Sequence, residues 1–252
     1  MKDAAPSEHP GAAPRAVAID LRRLAELGMV THEGGRSPVA EDFRIIKRPL
    51  LRNLRAEDGS PRPHANLIIV CSALPGEGKT YCAINLALSI AMERDTTVLL
   101  VDADVARPSM PGVLGLGEHA GLMDILLDQR LTLSDVILKT NVPALSILPA
   151  GRSNRQATEL LASRDMSELL SEIANRYADR IVVFDSPPLL LTTEAGVLAA
   201  QMGQVVLVVE AESTTQAALR EALRQIESCK HIHLVYNKTR ALPASARHGY
   251  DR

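Results

Sequence analysis

A glycine-rich loop between an apolar strand and a helix constrains this chain more than any other feature. Residues 72–80 read Ser-Ala-Leu-Pro-Gly-Glu-Gly-Lys-Thr, directly after the apolar run Leu-Ile-Ile-Val-Cys at 67–71. Glycines in such a loop let consecutive backbone N–H groups turn inward around phosphate oxygens, and the helix that follows points its positive end at the anion. The pattern is typical of a P-loop, so we expect the chain to bind a nucleotide.

Each position of this loop has an expected partner on the nucleotide. The Lys79 ammonium is expected at the β- and γ-phosphates and the Thr80 hydroxyl at Mg²⁺. Ala73 stands where the opening glycine is usual, and alanine is the mildest replacement. Asn237 follows the last predicted strand, where it either reads a purine edge or forms a turn. The predicted nucleotide-binding residues are Ala73, Pro75, Gly76, Glu77, Gly78, Lys79, Thr80, Tyr81 and Asn237.

Apolar runs alternate with helical segments along most of the chain. We predict strands at 67–71, 96–101, 144–148, 181–184, 204–209 and 232–236, and helices at 79–92, 121–127, 166–178, 193–202 and 214–226. Continuous apolar strands that alternate with helices indicate a parallel sheet covered on both faces. The sequence therefore predicts an α/β fold, a P-loop NTPase-like three-layer sandwich with a mostly parallel sheet and helices on both faces.

Composition shifts divide the chain into three parts. We predict a flexible N-terminal segment at 1–38, a P-loop domain at 39–238 and a mobile tail at 239–252. The first part carries a short amphipathic helix at 17–29, which docks either on its own domain or on a partner. The P-loop domain is expected to begin with a helix at 39–54 that is interrupted near Pro49.

The overall composition excludes several classes of protein. A formal net charge of −2 argues against a nucleic-acid-binding surface. No uninterrupted apolar run approaches roughly 18 residues, so we expect no transmembrane helix, and the first residues lack the apolar region of a secretory signal. Three cysteines without metal-ligand spacing, of which Cys71 and Cys82 are predicted to be buried, fit a reducing cytoplasmic location.

Acidic residues follow two of the predicted strands. Asp102 and Asp104 come after one apolar run, and Asp185 comes after another. Because ligands sit beyond the carboxyl ends of parallel strands, these carboxylates are expected to converge near the γ-phosphate, although a single Asp there could equally cap a helix or form a turn. The predicted catalytic residues are Lys79, Asp102, Asp104 and Asp185, and the predicted metal site is Thr80, Asp102 and Asp185.

The carboxylates are expected to have different roles. We expect Thr80 to bind Mg²⁺ directly and Asp185 to reach the metal through water, because Mg²⁺ usually takes only one or two carboxylates. Asp102 is then placed to take a proton from an attacking hydroxyl. Asp104 would support the metal or the base.

Three segments of the chain resemble one family. Residues 72–80, Val-Asp-Ala-Asp-Val-Ala-Arg-Pro at 101–108 and Val-Phe-Asp-Ser-Pro-Pro at 183–188 resemble the Walker A, A′ and B motifs of bacterial tyrosine autokinases of capsule and exopolysaccharide loci. Residues 41–49 resemble the version found in exosortase-associated loci. The resemblance implies ATP- and Mg²⁺-dependent phosphorylation of tail tyrosines in trans within a ring of subunits. It also implies a separate membrane protein that sets polysaccharide chain length, activates the kinase and recruits it to the membrane.

The resemblance also implies which residues join the subunits of the ring. In the family, a Glu-x-x-Arg-x-x-Arg helix makes this contact. Glu41 and Arg44 match that motif, while Lys47 holds the third position and Arg48 follows it. The alternative is a solvated helix with internal ion pairs.

The tyrosines identify one candidate acceptor and leave two other functions open. Tyr81 and Tyr177 lie in predicted helices and Tyr236 ends a strand, so Tyr250 in the tail is the predicted phosphoacceptor. The family tail usually carries a cluster of tyrosines, so a weakly active ATP-binding adaptor of a membrane complex is one alternative. A partitioning or positioning ATPase, which by resemblance shares the fold and the A′ motif, is the other alternative. Such ATPases carry a distinguishing lysine at the position equivalent to Leu74, where this chain has leucine.

Overall fold

The computed structural model describes residues 15–31, 37–176 and 180–239. Within these residues, seven strands form one sheet in the order β3-β4-β2-β5-β1-β6-β7. All neighbouring pairs are parallel except β3 and β4, which are antiparallel. The strands are β1 (Leu67–Ser72), β2 (Thr97–Asp102), β3 (Leu138–Lys139), β4 (Leu145–Leu148), β5 (Arg180–Asp185), β6 (Gln204–Glu210) and β7 (Ile232–Asn237).

Ten helices accompany the sheet in the described part of the chain. They are α1 (Leu21–Glu26), α2 (Pro38–Arg52), α3 (Lys79–Ile90), α4 (Met110–Leu114), α5 (Leu122–Leu127), α6 (Leu133–Val136), α7 (Ala157–Leu161), α8 (Arg164–Arg176), α9 (Glu194–Ala199) and α10 (Gln216–Gln225). Every residue of β1 is buried, as expected for a strand covered on both faces. The predicted α/β fold with a mostly parallel sheet between helices is confirmed.

The alternation of side chains along β1 divides the core into two layers. Ile68 and Val70 pack on one face with apolar residues of α1, α2, α3 and α4, whereas Leu67, Ile69 and Cys71 pack on the other with residues of α5 to α10. Successive side chains of a strand point to opposite faces, so one apolar run serves both layers. Burying each large aliphatic side chain contributes about 1.5–3 kcal/mol.

Helix α2 continues through Pro49, where we expected an interruption. Proline cannot donate to the carbonyl of Ile45, but the Ile45 side chain is 64% exposed, so this turn lies on the solvent side. The next turn closes normally, because the N–H of Asn53 donates to the carbonyl of Pro49 at 3.0 Å. At the other end, the Ser37 hydroxyl accepts from the N–H of Ala40 at 3.1 Å and caps the helix.

The segment before α2 packs onto the same domain. Leu24 of α1 is completely buried in the layer that includes α3. The Val30 N–H donates to Asn85 Oδ1 at 2.7 Å, and the Ile19 N–H donates to Asn141 Oδ1 at 2.9 Å. Of the two alternatives for this amphipathic helix, the structure therefore has the one in which it docks on its own domain.

Four short elements were not expected from the sequence. They are α4, α6, α7 and the two-residue strand β3, which pairs antiparallel with β4 at the edge of the sheet. Elements of two to five residues are too short to show a periodic pattern.

The remaining features of the fold are the length of its helices and the burial of its cysteines. None of the helices among the described residues is long and apolar enough to span a bilayer. Cys71 and Cys82 are buried free thiols, as predicted.

Candidate functional site

The P-loop has the backbone shape that phosphate binding requires. Gly76 and Gly78 adopt φ angles of +83° and +98°, which residues with a side chain rarely adopt. Gly78 is the N-cap of α3, and no side-chain hydrogen bond caps this helix among the described residues. Its first N–H groups are therefore available to an anion at the positive end of the helix dipole.

The carboxylates predicted from the sequence meet beside this loop. Asp102 and Asp185 are register partners at the ends of the adjacent parallel strands β2 and β5, and both are completely buried. Asp104 lies two residues further along, and its carboxylate is 3.1 Å from the Lys79 ammonium. One positive charge of the P-loop thus lies among three carboxylates at the carboxyl edge of the sheet.

The buried carboxylates have strongly shifted pKa values. Burial, together with the nearby charges of Asp185 and Asp104, raises the pKa of Asp102 to about 8. Burial likewise raises the pKa of Asp185 to about 7, although the charge of Lys79 acts in the opposite direction. Both groups titrate near neutral pH, which is typical of acid–base and metal-binding positions.

The oxygen atoms at this edge suit a hard cation. Among the described residues, neither oxygen of Asp185 has a partner with good hydrogen-bond geometry, although the nearby Thr80 hydroxyl lowers the pKa of Asp185, and Oδ2 of Asp102 likewise has no partner. The Thr80 hydroxyl lies 3.0 Å from the hydroxyl of Ser109. No group of three or more His, Cys, Asp or Glu in the described part could hold a metal alone. Mg²⁺ uses one or two carboxylates together with water and phosphate oxygens, so these residues fit it.

Two predicted nucleotide-binding residues make contacts within the protein. The Glu77 side chain is 3% exposed, and its carboxylate accepts from the N–H of Leu74 at 2.8 Å and from the Thr214 hydroxyl. One N–H of the Asn237 amide donates to the Glu77 carbonyl at 2.8 Å. Asn237 therefore supports the loop, and its remaining N–H and oxygen are what it can offer to a purine.

The remaining residues of the predicted nucleotide-binding set surround the loop. Ala73 is buried, and its carbonyl accepts from the N–H of Leu190 at 3.1 Å, whereas Pro75 is exposed. The Tyr81 hydroxyl donates to the Gly28 carbonyl at 3.1 Å, and its ring is 6.4 Å from that of Phe43. The Tyr81 side chain thus packs on the preceding segment, and only its backbone belongs to the P-loop region.

The structure separates the four residues predicted to join subunits. Lys47 is 5% exposed, and its ammonium contacts the Ser89 carbonyl at 2.5 Å and Glu93 at 2.7 Å. It is therefore an internal link between α2 and α3 rather than a free surface charge. Glu41 and Arg44 form an ion pair within α2 at 2.7 Å.

An open groove lies beside this internal link. It has a volume of about 650 Å³ and lies between α2 and the residues after α3. Exposed Arg48 and Arg52 line it, with Met92 on the opposite side. Of the predicted ring contacts, Arg44 and Arg48 are therefore the basic residues that face solvent here.

The described tyrosines differ in accessibility. Tyr236 is 62% exposed on β7, the last strand of the sheet, while the Tyr81 hydroxyl is held by Gly28. Tyr177 and the predicted acceptor Tyr250 lie outside the described residues.

Sequence reasoning missed two hydroxyl groups at the site. Ser109 contacts Thr80, and Thr214 contacts Glu77. Thr214 lies in the loop after β6, and β6 pairs with β1. Because β6 runs parallel to β1, the loop after β6 lies at the same edge of the sheet as the P-loop. The order of the strands would therefore have identified Thr214.

Comparisons with known proteins agree with this geometry. A family model described as an AAA domain matches residues 65–239. The tyrosine-protein kinase YwqD of Bacillus subtilis is 32% identical over 191 residues, which are 76% of this chain and 76% of YwqD. EpsB of Ralstonia nicotianae is 30% identical over 204 residues, which are 79% of this chain and 26% of EpsB. The chain thus spans about a quarter of EpsB but three quarters of YwqD.

Solved structures share the fold. The crystal structure of the chimerical protein CapA2B2 matches with a TM-score of 0.72 and 26% identity, over 90% of this chain and 95% of that one. A ParA-family ATPase from Chlorobium tepidum matches with a TM-score of 0.54 and 20% identity, over 69% of this chain and 74% of that one, which shows a common fold alone.

Proposed function

The chain belongs to the family of bacterial tyrosine-protein kinases that share this AAA domain, and on that premise we propose that it transfers the γ-phosphate of ATP to protein tyrosines. The observation that carries this proposal is the junction of β2 and β5. There Asp102 and Asp185 lie opposite each other, beside the P-loop and its Lys79. Phosphoryl transfer depends on positioning and charge stabilisation, and this edge offers both.

Different residues of the chain have different roles in phosphoryl transfer. Backbone N–H groups of the P-loop and the start of α3 hold the phosphates. The Lys79 ammonium pairs with Asp104 at 3.1 Å in the structure. When ATP binds, it leaves that carboxylate and contacts the phosphate oxygens. Asp102 accepts the proton of the tyrosine hydroxyl. Its pKa of about 8 is close to the working pH, which favours a general base.

The metal site completes this arrangement. Thr80 and Asp185 would hold Mg²⁺, with Asp102 beside them, and the ion would supply positive charge to the β- and γ-phosphates. The oxygens of Asp185, which lack a partner with good hydrogen-bond geometry among the described residues, support this assignment. A bound cation would lower the pKa of Asp102, so that a larger fraction of this carboxyl group is ionised and able to accept the tyrosine proton.

The acceptor is proposed to be Tyr250, phosphorylated by a neighbouring copy of the chain. Among the described tyrosines, Tyr81 is held by Gly28 and Tyr236 by the sheet, so neither approaches another active site without local unfolding. A ring would form through the exposed charges of α2, namely Glu41, Arg44 and Arg48. A separate membrane protein for polysaccharide chain length would bring the kinase to the inner face of the membrane and activate it.

A phosphorylation assay tests the proposal. Wild-type protein is mixed with Mg²⁺, ATP and an inactive Lys79→Met copy, and phosphotyrosine is mapped by mass spectrometry. We expect phosphate on Tyr250 of the inactive copy, loss of that signal in Tyr250→Phe, and loss of transfer in Asp102→Asn. Phosphate release without phosphotyrosine would instead indicate a nucleotide-switch ATPase, and neither product would indicate an adaptor that only binds ATP.

Partitioning ATPases share the fold, but this chain lacks one residue that they carry. By resemblance, partitioning ATPases carry a lysine at the position equivalent to Leu74. Leu74 is 37% exposed beside the P-loop and has no charge to reach a partner's nucleotide. The kinase is therefore the better supported function.

A further inference from the structure

A buried acid inside the phosphate-binding loop has no role in the chemistry described above. The Glu77 carboxylate is turned into the protein, where Oε2 accepts from the N–H of Leu74 at 2.8 Å and Oε1 accepts from the Thr214 hydroxyl. A negative charge this close to a phosphate site weakens anion binding, so its charge does not explain its presence. Its hydrogen bonds do, because they join the backbone of the P-loop at Leu74 to Thr214 in the loop after β6.

Thr214 connects the P-loop to the loop after β6. Its hydroxyl donates to Glu77 and accepts from the N–H of Glu210 at 3.0 Å, while its own N–H donates to the Glu210 carbonyl at 3.1 Å. The hydroxyl thus has both its donor and its acceptor capacity used. The loop after β6 is closed on itself and presents one hydrogen-bond donor to the P-loop.

Asn237 makes a second connection from the end of β7. Its amide donates to the Glu77 carbonyl at 2.8 Å, and its own carbonyl accepts from the N–H of Ala211 at 2.9 Å. The contact is close: a Cβ on Gly78 would lie 2.1 Å from the Asn237 amide nitrogen. The loop after β6 therefore holds the Glu77 side chain, and the end of β7 holds the Glu77 backbone carbonyl.

We infer that Thr214 and Glu77 are positioning residues that hold the P-loop in its phosphate-binding shape before ATP arrives. This inference rests on the proposed function only in taking ATP as the ligand. A loop that is already ordered loses less conformational freedom on binding, so the ligand binds more tightly. Without the Thr214 hydroxyl, the buried carboxylate lacks one of its two donors and the loop must be ordered by the nucleotide itself.

The test compares Thr214→Val, which keeps the shape of the side chain, with Thr214→Ser, which keeps its hydroxyl. A fluorescent ATP analogue is used as the probe, and steady-state phosphorylation gives KM for ATP and kcat. We expect valine to weaken binding and raise KM about tenfold with kcat within about twofold of wild type, as expected for the loss of one hydrogen bond to a charged group. Serine should restore both values.

Thr215→Val is the matched control. The Thr215 hydroxyl accepts from the N–H of Ala218 at 3.1 Å and caps α10, so this variant removes a hydroxyl one residue away without affecting the P-loop. It should lower the melting temperature but leave ATP binding unchanged. If Thr214→Val bound the analogue as tightly as wild type, or if both valine variants changed only the melting temperature, the inference would be overturned.

Hydrogen exchange of the wild-type protein provides a test that needs no variant. We expect the Leu74 amide, which donates to the Glu77 carboxylate at 2.8 Å, to be protected before any nucleotide is added. Rapid exchange that becomes slow only with ATP would mean that the loop is not preformed, and would overturn the inference. The binding assays also separate this inference from the proposed function, because a chain that binds ATP but phosphorylates no tyrosine would refute only the kinase.

Discussion

Asp185→Asn should stabilise the nucleotide-free protein at alkaline pH and destabilise it at acid pH. Asp185 is completely buried, and burial raises its pKa to about 7 from an ordinary value of 3.8. The folded state therefore holds this proton more tightly than the unfolded state. The stability that Asp185 contributes is fully present below the ordinary pKa and is lost as pH rises toward the folded pKa.

The size of the effect follows from the two pKa values. A change from 3.8 to about 7 corresponds to about 4 kcal/mol in the free energy of unfolding between acid and alkaline solution. Asparagine does not ionise and avoids this loss, but its amide brings N–H groups without a partner, at a cost of about 1–3 kcal/mol. Ionisation in the unfolded state has already removed about 1.5 kcal/mol of the wild-type stability by pH 5, so the variant should be within about 1.5 kcal/mol of wild type there. Near pH 8 the variant should be more stable than wild type by about 1–3 kcal/mol.

Urea unfolding followed by circular dichroism measures this, since the chain has no Trp for fluorescence. Titrations between about pH 5 and pH 8 are made in chelator without nucleotide, so that no cation alters the carboxylates. Asp95→Asn is the control: Asp95 is exposed with φ of +58°, a conformation that asparagine also tolerates. It should follow the wild-type curve. Equal pH dependence in Asp185→Asn and wild type would refute the reasoning, because Asp185 would then not be a buried group that titrates in this pH range.

Three further predictions concern the P-loop and the surface of α2. Lys79→Met should abolish transfer. It should also lower the free energy of unfolding by about 1–3 kcal/mol in a denaturant titration, because the Asp104 side chain is 6% exposed and loses its ion-pair partner at 3.1 Å. Unchanged stability would contradict that pairing. Gly78→Ala should weaken nucleotide binding in calorimetry, because a Cβ there meets the Asn237 amide at 2.1 Å, whereas Gly112→Ala, with nothing within 4 Å, should not. Exchanging the charges of Glu41 and Arg44 keeps their ion pair within the helix but reverses the signs shown to a neighbour. Sedimentation should then shift toward monomer, most clearly at low salt, and an unchanged profile would remove this helix from the subunit contact.

The sequence by itself determined the fold class and the edge of the sheet that carries the site. Apolar runs too continuous for a half-exposed sheet predicted parallel strands between helices, and the structure confirms them. Because parallel strands end at one edge, Asp102, Asp185 and the P-loop could be expected together from their places directly after such runs. These are local features, and each can be recognised within about ten residues of sequence.

Tertiary structure decided what depends on neighbours distant in the chain. Lys47 matches a motif of surface contacts, but packing of α2 on α3 buries it against Glu93. Pro49 predicts a break that the solvent-facing side of α2 tolerates. Thr214 is 137 residues from Glu77, and they meet only because β6 pairs with β1. No local pattern contains the order of strands in a sheet, since that order follows from how all the helices and strands bury their apolar surfaces together.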